Sequence, residues 1–594
     1  MKNHRSYTFT LISCFVLIIL YGVNAHAQEG TISGEKRVYH KLTLTWEGPK
    51  ADESANTFRN FRLEVAFTSP SGKEYKVPGY FAADGNAGHS GATAGNKWRV
   101  HFLPTETGKW EYAVNFRSGS GIAISASGET GSPTGFDGDR GNFDIGETDK
   151  KGNDFRGKGK LQYTGEHFLQ FPKGEYFLKI GANSPEVFLE FVDFDGTDSD
   201  RSYPEHIKDW RPSDPTWKGD KGKGIIGVVN YLVDQGQNTH YFMIMNAYGD
   251  GKKAVPWTGV DDYYQYDVSK LDQWQIVFDH MMEMGVMPQM VLSEQENQSY
   301  FEQNEGGDFA DSRKVFYREM VARFGYLNAV TWNIGEESGW QREKTYGKGI
   351  TSDQRKDFAA YLKDLLYFND HVVVHNGPSN TDAIFEELLG DPNYTGLSYQ
   401  GNFENPLYGH DRIAHWRKES AAQGHKWVVS YDEPYTGPEY PDLDTWRKNS
   451  VWASFLAGGA GVEFYIGAGR DLTIQNYYHY EAYWKTMKLA REFFIQQDIP
   501  FYEMEAADHL ITEGWCLSKP GDVYVIYLPE GGSSSLKLEG GNYEVKWYDP
   551  RNGGPQQDGS VTSLSGEGTQ SIGNAPLDKE KDWVVLVKKS HKTN

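Results

Sequence analysis

The chain has 594 residues, a net charge of −22, two cysteines, 38% hydrophobic and 14% aromatic residues. That length exceeds a single core and predicts several units of about 150 residues each, or one large barrel with smaller neighbours. The acidic balance leaves no basic footprint for nucleic acid or an anionic membrane surface, and two cysteines cannot build a disulfide framework.

Lys2 and Arg5 precede an apolar run from Thr8 to Val23, followed by the small residues of Ala25-His26-Ala27. This pattern predicts a secretory signal peptide over 1–27, a mature start near Gln28, and a secreted or periplasmic protein. Leu11-Ile12-Ser13-Cys14 has the loose form of a lipoprotein box. The apolar run continues through Leu20, which counts against cleavage at Cys14 and leaves lipid anchoring as the lesser alternative. No later stretch reaches the roughly 18 apolar residues of a spanning helix, so no membrane span is expected. Cys516 is then a lone thiol, expected to be a small buried hydrophobe.

Between Val38 and Phe116 apolar and polar residues alternate, as in Leu42-Thr43-Leu44-Thr45-Trp46 and Phe61-Arg62-Leu63-Glu64-Val65. Period two with Gly, Pro, Asn and Ser punctuation predicts an antiparallel β-sandwich over 28–150, with 118–160 as loops and a linker. Over 151–500 short apolar runs alternate with helical stretches. The runs are 177–181, 241–245, 286–292, 330–333, 371–374, 396–399, 427–431 and 461–465; helices are expected at 271–284, 312–324, 352–366 and 440–456. Eight such runs predict a central (β/α)8 TIM barrel. Alternation returns in Val523–Leu528, Tyr543–Tyr548 and Trp583–Val587, a second antiparallel β-sandwich over 501–594.

In a parallel barrel the active site forms at the C-terminal strand ends. Two of these ends carry carboxylates: Asn333-Ile334-Gly335-Glu336-Glu337-Ser338 after strand four and Tyr431-Asp432-Glu433-Pro434 after strand seven. Glycoside hydrolysis needs two carboxyl groups flanking the scissile bond, one to protonate the leaving oxygen and one ionised. About three βα units of roughly 30 residues separate the two motifs. Each motif alone also fits a structural role, Glu-Glu feeding a helix N-terminus and Asp-Glu-Pro forming a surface turn. The joint placement favours catalysis.

Gly335-Glu336-Glu337-Ser338 resembles the Gly-Asn-Glu-Pro/Ser motif of the large clan of retaining (β/α)8 glycoside hydrolases, and Glu433 holds the place of that clan's strand-seven nucleophile. The resemblance implies Glu337 as acid/base and Glu433 as nucleophile. Glu336 stands where the clan has Asn, and is the second choice for acid/base. Glu433-Pro434-Tyr435, Arg447 and Leu456-Ala457-Gly458-Gly459-Ala460-Gly461 resemble the apiosidase-like bacterial proteins. Leu528-Pro529-Glu530-Gly531-Gly532 and Trp547-Tyr548-Asp549-Pro550-Arg551-Asn552-Gly553 are similar to the C-terminal domain of those proteins that is named for collagen binding. Val77-Pro78-Gly79-Tyr80-Phe81 and Gly108-Lys109-Trp110 resemble the immunoglobulin-like module that precedes such barrels in secreted polysaccharide-degrading enzymes.

Substrate-binding candidates at the strand ends are Asn246, Glu294, Asn333, His375, Asn376, Tyr399, Gln400 and Tyr465, with Trp332, Trp340 and Tyr435 as stacking surfaces. His375 as a metal ligand has no partner at ligand spacing, and no metal or other cofactor is called for. Asp193–Asp200 and Asp137–Asp144 lack the glycine and glutamate of an EF-hand loop and are read as solvated loops, structural calcium being the lesser alternative. The reading is a secreted glycoside hydrolase acting on a polysaccharide or oligosaccharide. The rivals are a non-catalytic glycan-binding protein, a polysaccharide lyase, and a collagen-binding or proteolytic protein, the last without a His-Glu-x-x-His or Gly-x-Ser-x-Gly motif.

Overall fold

The computed structural model describes residues 1–2, 30–125, 130–251, 253–339, 345–377, 381–435 and 441–590. The expected leader from residue 3 onward, Cys14 and Trp340 lie outside the described residues. No helix among the described residues is long and apolar enough to cross a membrane.

The centre is an eight-stranded parallel sheet: β1 (Lys179–Ala182), β2 (Thr239–Met243), β3 (Met287–Val291), β4 (Thr331–Asn333), β5 (His371–Val373), β6 (Gly396–Asn402), β7 (Val428–Tyr435) and β8 (Gly461–Phe464). Neighbours run β5-β4-β3-β2-β1-β8-β7-β6, so the sheet curls into a nearly closed, TIM-barrel-like cylinder. Its seam lies between β5 and β6, where one parallel bridge joins His375 to Ser398. Asn376 completes the seam with its side chain: Oδ1 accepts from the Gln400 N–H at 2.8 Å, and Nδ2 donates to the Gln400 carbonyl at 3.1 Å.

All eight strands fall on the predicted runs, with the largest difference at β7, which continues past Tyr431 to Tyr435. A bulge explains this. Tyr399 pairs with Tyr431 and Gln400 with Glu433, so Asp432 is an extra residue in β7. Insertion of one residue re-aims the side chains after it, and both Asp432 and Glu433 therefore face the barrel interior. Asp432 is met there by Lys179 Nζ at 2.8 Å, and Glu433 by His375 Nε2 at 3.2 Å. The Asp-Glu-Pro segment is not a surface turn.

Below the strand ends the barrel carries a polar layer instead of the usual branched hydrocarbons. Lys179 Nζ donates to Gln289 Oε1 at 2.7 Å and stands 3.3 Å from Glu463 Oε2. Gln289 Nε2 donates to Ser398 Oγ at 3.0 Å and to Asp432 Oδ2 at 3.1 Å. Burial favours the neutral form of Asp432, but Lys179 outweighs it and holds that carboxyl below the usual range. Glu463, with burial dominating over Lys179, is pushed up to about 8. A carboxyl protonated in the fold but ionised in the unfolded chain makes stability fall as pH rises between its two pKa values. Glu463→Gln is therefore expected to lessen the fall in Tm between about pH 5 and 8. Thermal unfolding in steps across that range checks this, and an unchanged slope would refute it.

The helices follow their sequence signals. Val268–Met284 starts at Asp267, whose side chain accepts from the Lys270 N–H, and stops at Gly285 with φ 79°. Asp311–Phe324 matches its prediction, and Ser352–Leu365 opens with a Thr351/Gln354 capping box. The run at 443–456 contains a π-helical stretch, Arg447–Trp452.

Two antiparallel sheets precede the barrel, with strand order Thr31–Ser33, Leu42–Asp52, Ala94–Phe102, Tyr80–Phe81 in one. The other is built on Phe61–Thr68 and Gly108–Ser118. Their inward residues meet in pairs such as Phe67 and Phe102, stacked at 4.0 Å. The predicted loop region 118–160 also holds strands, Ser132–Pro133 and Arg140–Ile145. Glycine and aspartate hide the alternation there, but Phe143 and Ile145 are buried. Four acids of these two loops meet protein donors: Asp139 accepts from Trp46 Nε1 at 2.7 Å, Asp137 from the Phe116 N–H at 2.8 Å, Asp193 from the Gly222 N–H at 2.9 Å, and Asp195 pairs with Lys218.

After the barrel comes a six-stranded antiparallel sheet with Val523–Leu528, Trp583–Lys589 and Asn542–Tyr548 at its centre. Cys516 is buried in its core, as expected, and burial pushes its thiol up. Arg447 lies away from the strand-end site; it reaches across to this sheet and pairs with both oxygens of buried Asp582, at 2.9 and 3.0 Å.

Candidate active site

The turn after β4 is sewn to both neighbouring strand ends. Asn333 Oδ1 accepts from the Gly335 N–H at 3.2 Å. The Glu336 N–H donates to the Ser293 carbonyl at 2.9 Å, and the Ser338 N–H to the His375 carbonyl at 3.0 Å. Glu337 is held at φ +43°, a conformation costing a non-glycine residue on the order of 1–3 kcal/mol. Among the described residues no helix starts between this turn and Ser352, so the Glu-Glu pair is not a helix cap. Glu337 is half-buried, whereas Glu336 and Glu433 are buried.

Gln400, opposite Glu433 beyond the bulge, joins the two strand-end acids. Its Nε2 donates to Glu337 Oε1 at 3.1 Å, and its side chain also acts to lower the Glu433 pKa. His375 adds a third contact: its Nδ1 accepts from the Glu337 N–H at 3.2 Å, so in the neutral ring the proton sits on Nε2, facing Glu433 Oε2. Burial lowers the His375 pKa to about 3, which keeps the ring neutral. Glu336, His375 and Glu433 have donor atoms within 4.8 Å of one another, the spacing of a metal site. With Nδ1 accepting a backbone hydrogen, however, Nε2 has no lone pair for a cation.

Burial, then Glu337, Asp471 and Asp250, raises Glu433 well above the usual carboxylate range, with the Gln400 bond opposing. Burial, then Glu337 and Glu433, does the same to Glu336. Glu186, after β1, rises through burial and the charges of Glu336, Asp471 and Glu433. Asp471, after β8, is pushed by burial up to about 7. Like charges this close cannot all ionise, and the cluster shares protons at neutral pH.

Of the residues singled out in the sequence, Glu336, Glu337, His375, Gln400, Glu433 and Tyr465 come together. Half-buried Tyr435 joins them, its ring 6.3 Å from that of Tyr465. Others have different work. Asn246 braces its loop, accepting from the Ala254 N–H at 2.9 Å and donating to Glu190 at 3.2 Å. Asn376 closes the barrel seam. Glu294 adjoins Glu336 but accepts from the Asp250 N–H at 3.2 Å and from Asn297 Nδ2 at 3.1 Å. That loop approaches so closely that a Cβ on Gly249 would lie 1.5 Å from Glu294 Oε1. Asn333 braces its own turn. Trp332 and Tyr399 sit on the outward side of the pleat: Trp332 is wholly buried in the main core, and the Tyr399 ring lies 6.3 Å from that of Phe385 in the helix Thr381–Leu388. Neither offers a stacking face to a sugar.

Glu186, Tyr241 and Asp471 are the members that sequence reasoning missed. Glu186 stood at the end of the first predicted strand, where Asn183-Ser184-Pro185-Glu186 is a readable strand-end signal. Tyr241 is an inward residue within β2 and looks like any core aromatic, and nothing in the sequence places Asp471 in the site.

Residues 35–117 match a family described as a domain of unknown function (DUF5060), and residues 513–588 match one described as a putative collagen-binding domain of a collagenase. No curated protein matches the chain. Among solved structures, the fold is similar to a putative glycoside hydrolase from Bacteroides vulgatus, with 12% identity, TM-score 0.63, and coverage of 94% of this chain and 100% of that one. It is also similar to a glycoside hydrolase family 5 protein from Bacteroides vulgatus, at 14% identity, TM-score 0.54, and coverage of 73% and 94%. A further protein, called simply a glycoside hydrolase, aligns at 15% identity, TM-score 0.52, and coverage of 73% and 97%. At these identities the likeness is one of fold.

Proposed function

We propose that the chain is a secreted glycoside hydrolase that cleaves glycosidic bonds in a polysaccharide or oligosaccharide by a retaining, two-carboxylate mechanism. The observation that carries this reading is the convergence of Glu337 after β4 and Glu433 in β7 on one cluster, with Gln400 Nε2 donating to Glu337 Oε1 at 3.1 Å and His375 Nε2 3.2 Å from Glu433 Oε2. Retention requires carboxyl groups about 5 Å apart, without room for the intervening water of an inverting pair. The fold likeness to glycoside hydrolases and the apiosidase-like motifs agree with it.

In the first step a Glu433 oxygen attacks the anomeric carbon while the Glu337 carboxyl gives its proton to the departing glycosidic oxygen. In the second, Glu337 takes a proton from water, whose oxygen displaces Glu433 with a second inversion. Like charges in one buried cluster favour one ionised and one protonated member of the pair. The flanking antiparallel sheets, 28–150 and 501–594, are read as accessory sandwich domains. The test is incubation of the purified protein with a polysaccharide panel, following reducing-end release, product size and, by NMR, the anomer first formed. Absence of release on every glycan, or first release of the inverted anomer, would overturn the function or the mechanism respectively.

A further inference from the structure

Three strand ends that carry no part of the bond-breaking pair converge beside it. Glu186 follows β1 and is 4% exposed; Tyr241 lies in β2 and is fully buried; Asp471 and Tyr465 come from the chain beyond β8. Glu186 Oε1 and Tyr241 Oη have no hydrogen-bond partner among the described residues. Buried polar atoms are almost always paired, so two such atoms in one place ask for a partner from outside the protein. Both lie near the reacting acids: the charges of Glu336 and Glu433 act on Glu186 and on Tyr241, and the Tyr241 ring centre lies 6.0 Å from that of His375.

The strongest charges acting on this floor are carboxylates. Two described cations next to its members, Lys179 and Arg201, are engaged elsewhere. Lys179, one layer below, serves Asp432 and Glu463. Arg201, behind Asp471, donates to the carbonyls of Ile474 and Leu472. A ligand carboxylate or sulfate here would meet like charge in a buried setting, whereas hydroxyl groups donate readily to carboxylate oxygens and accept from a phenol.

Building on the glycosidase reading, we propose that Glu186 and Tyr241 are specificity-determining residues that hold the ring hydroxyls of an uncharged sugar at the reacting position, and that the floor rejects uronic and sulfated rings. Glu186 accepts from one hydroxyl, and Tyr241 donates to a neighbouring hydroxyl oxygen.

The full-length Glu433→Gln chain, which cannot turn over, is the form to test. Saturation-transfer NMR with methyl glycosides of neutral hexoses and pentoses, beside their uronic counterparts, reads binding without catalysis. At least one neutral glycoside is expected to bind, and its uronic counterpart to bind at least several-fold more weakly. Adding Tyr241→Phe or Glu186→Ala should weaken the neutral glycoside by about 3–10-fold, the worth of one hydrogen bond. Glu186→Gln, which keeps the shape and removes one ionisable member of the acidic cluster, should narrow the preference over the uronide. Uronides binding as well as neutral rings would overturn the proposal, as would neutral binding indifferent to both positions or no glycoside binding at all. Glycan release by the unmodified enzyme remains the separate test of the hydrolase reading, and circular dichroism of each variant separates lost contact from lost fold.

Discussion

Glu433→Gln is expected to leave a folded chain whose turnover on a cleavable glycan falls at least ~10⁴-fold, because the variant loses the carboxylate assigned to form the glycosyl-enzyme bond. Glu337→Gln should behave differently. General acid catalysis contributes about 10²–10⁴-fold, and that loss applies to sugars and alcohols, which leave poorly without a proton. An aryl glycoside with an acidic phenol needs little help, so its glycosylation should be nearly spared in Glu337→Gln and abolished in Glu433→Gln. Azide sharpens the distinction, since it can replace water in the open space left by a smaller acid/base residue. Glu337→Ala with azide should yield a glycosyl azide of retained configuration, and Glu433→Ala one of inverted configuration. If Glu336→Gln shows the leaving-group dependence and Glu337→Gln does not, the acid/base role moves to Glu336. Near-normal turnover in both Glu337→Gln and Glu433→Gln would defeat the assignment altogether.

The eight strands were legible because each is a short apolar run with a helix behind it, and the two key acids because each follows such a run. Which strand-end residues face inward was not legible, because it depends on pleat phase and on one bulge. Tyr399 and Trp332 looked like candidates for a sugar by their place in the sequence, yet each lies half a pleat period from the interior and packs on the outer side. The bulge at Asp432 had the opposite effect, bringing two consecutive acids to the same face where strict alternation would bring one. Asn246, Glu294 and Asn376 are strand-end polar residues whose hydrogen bonds go to loop and seam backbone, a distinction that needs three-dimensional partners. Asp471 reaches the cluster at the start of a three-residue 3₁₀ turn, Asp471–Thr473, too short for any periodicity to report direction.

The bulge in turn depends on the charged layer beneath it, and Lys179 is the centre of that layer. Lys179→Met is expected to destabilise the chain by about 3–5 kcal/mol, because it leaves Asp432 and Glu463 buried without their cation. Urea unfolding of the barrel transition checks this, and a loss under about 1 kcal/mol would show that the pair is not an essential brace. Asp432 sets the pH signature. Its depressed pKa contributes stability above its unfolded value, lost as pH falls through the folded one, so the acid limb of the stability profile should flatten in Lys179→Met. Asp432→Asn tests the link to catalysis more gently, since the amide keeps the size and the Lys179 contact while losing the ionic hold on the extra residue of β7. With Glu433 the next residue along the chain and opposite Gln400, a slackened bulge should misaim the attacking oxygen. The expected result is a lower kcat with KM little changed, because positioning of the nucleophile matters at the transition state more than in binding. A rise in KM alone would instead assign Asp432 to holding the sugar.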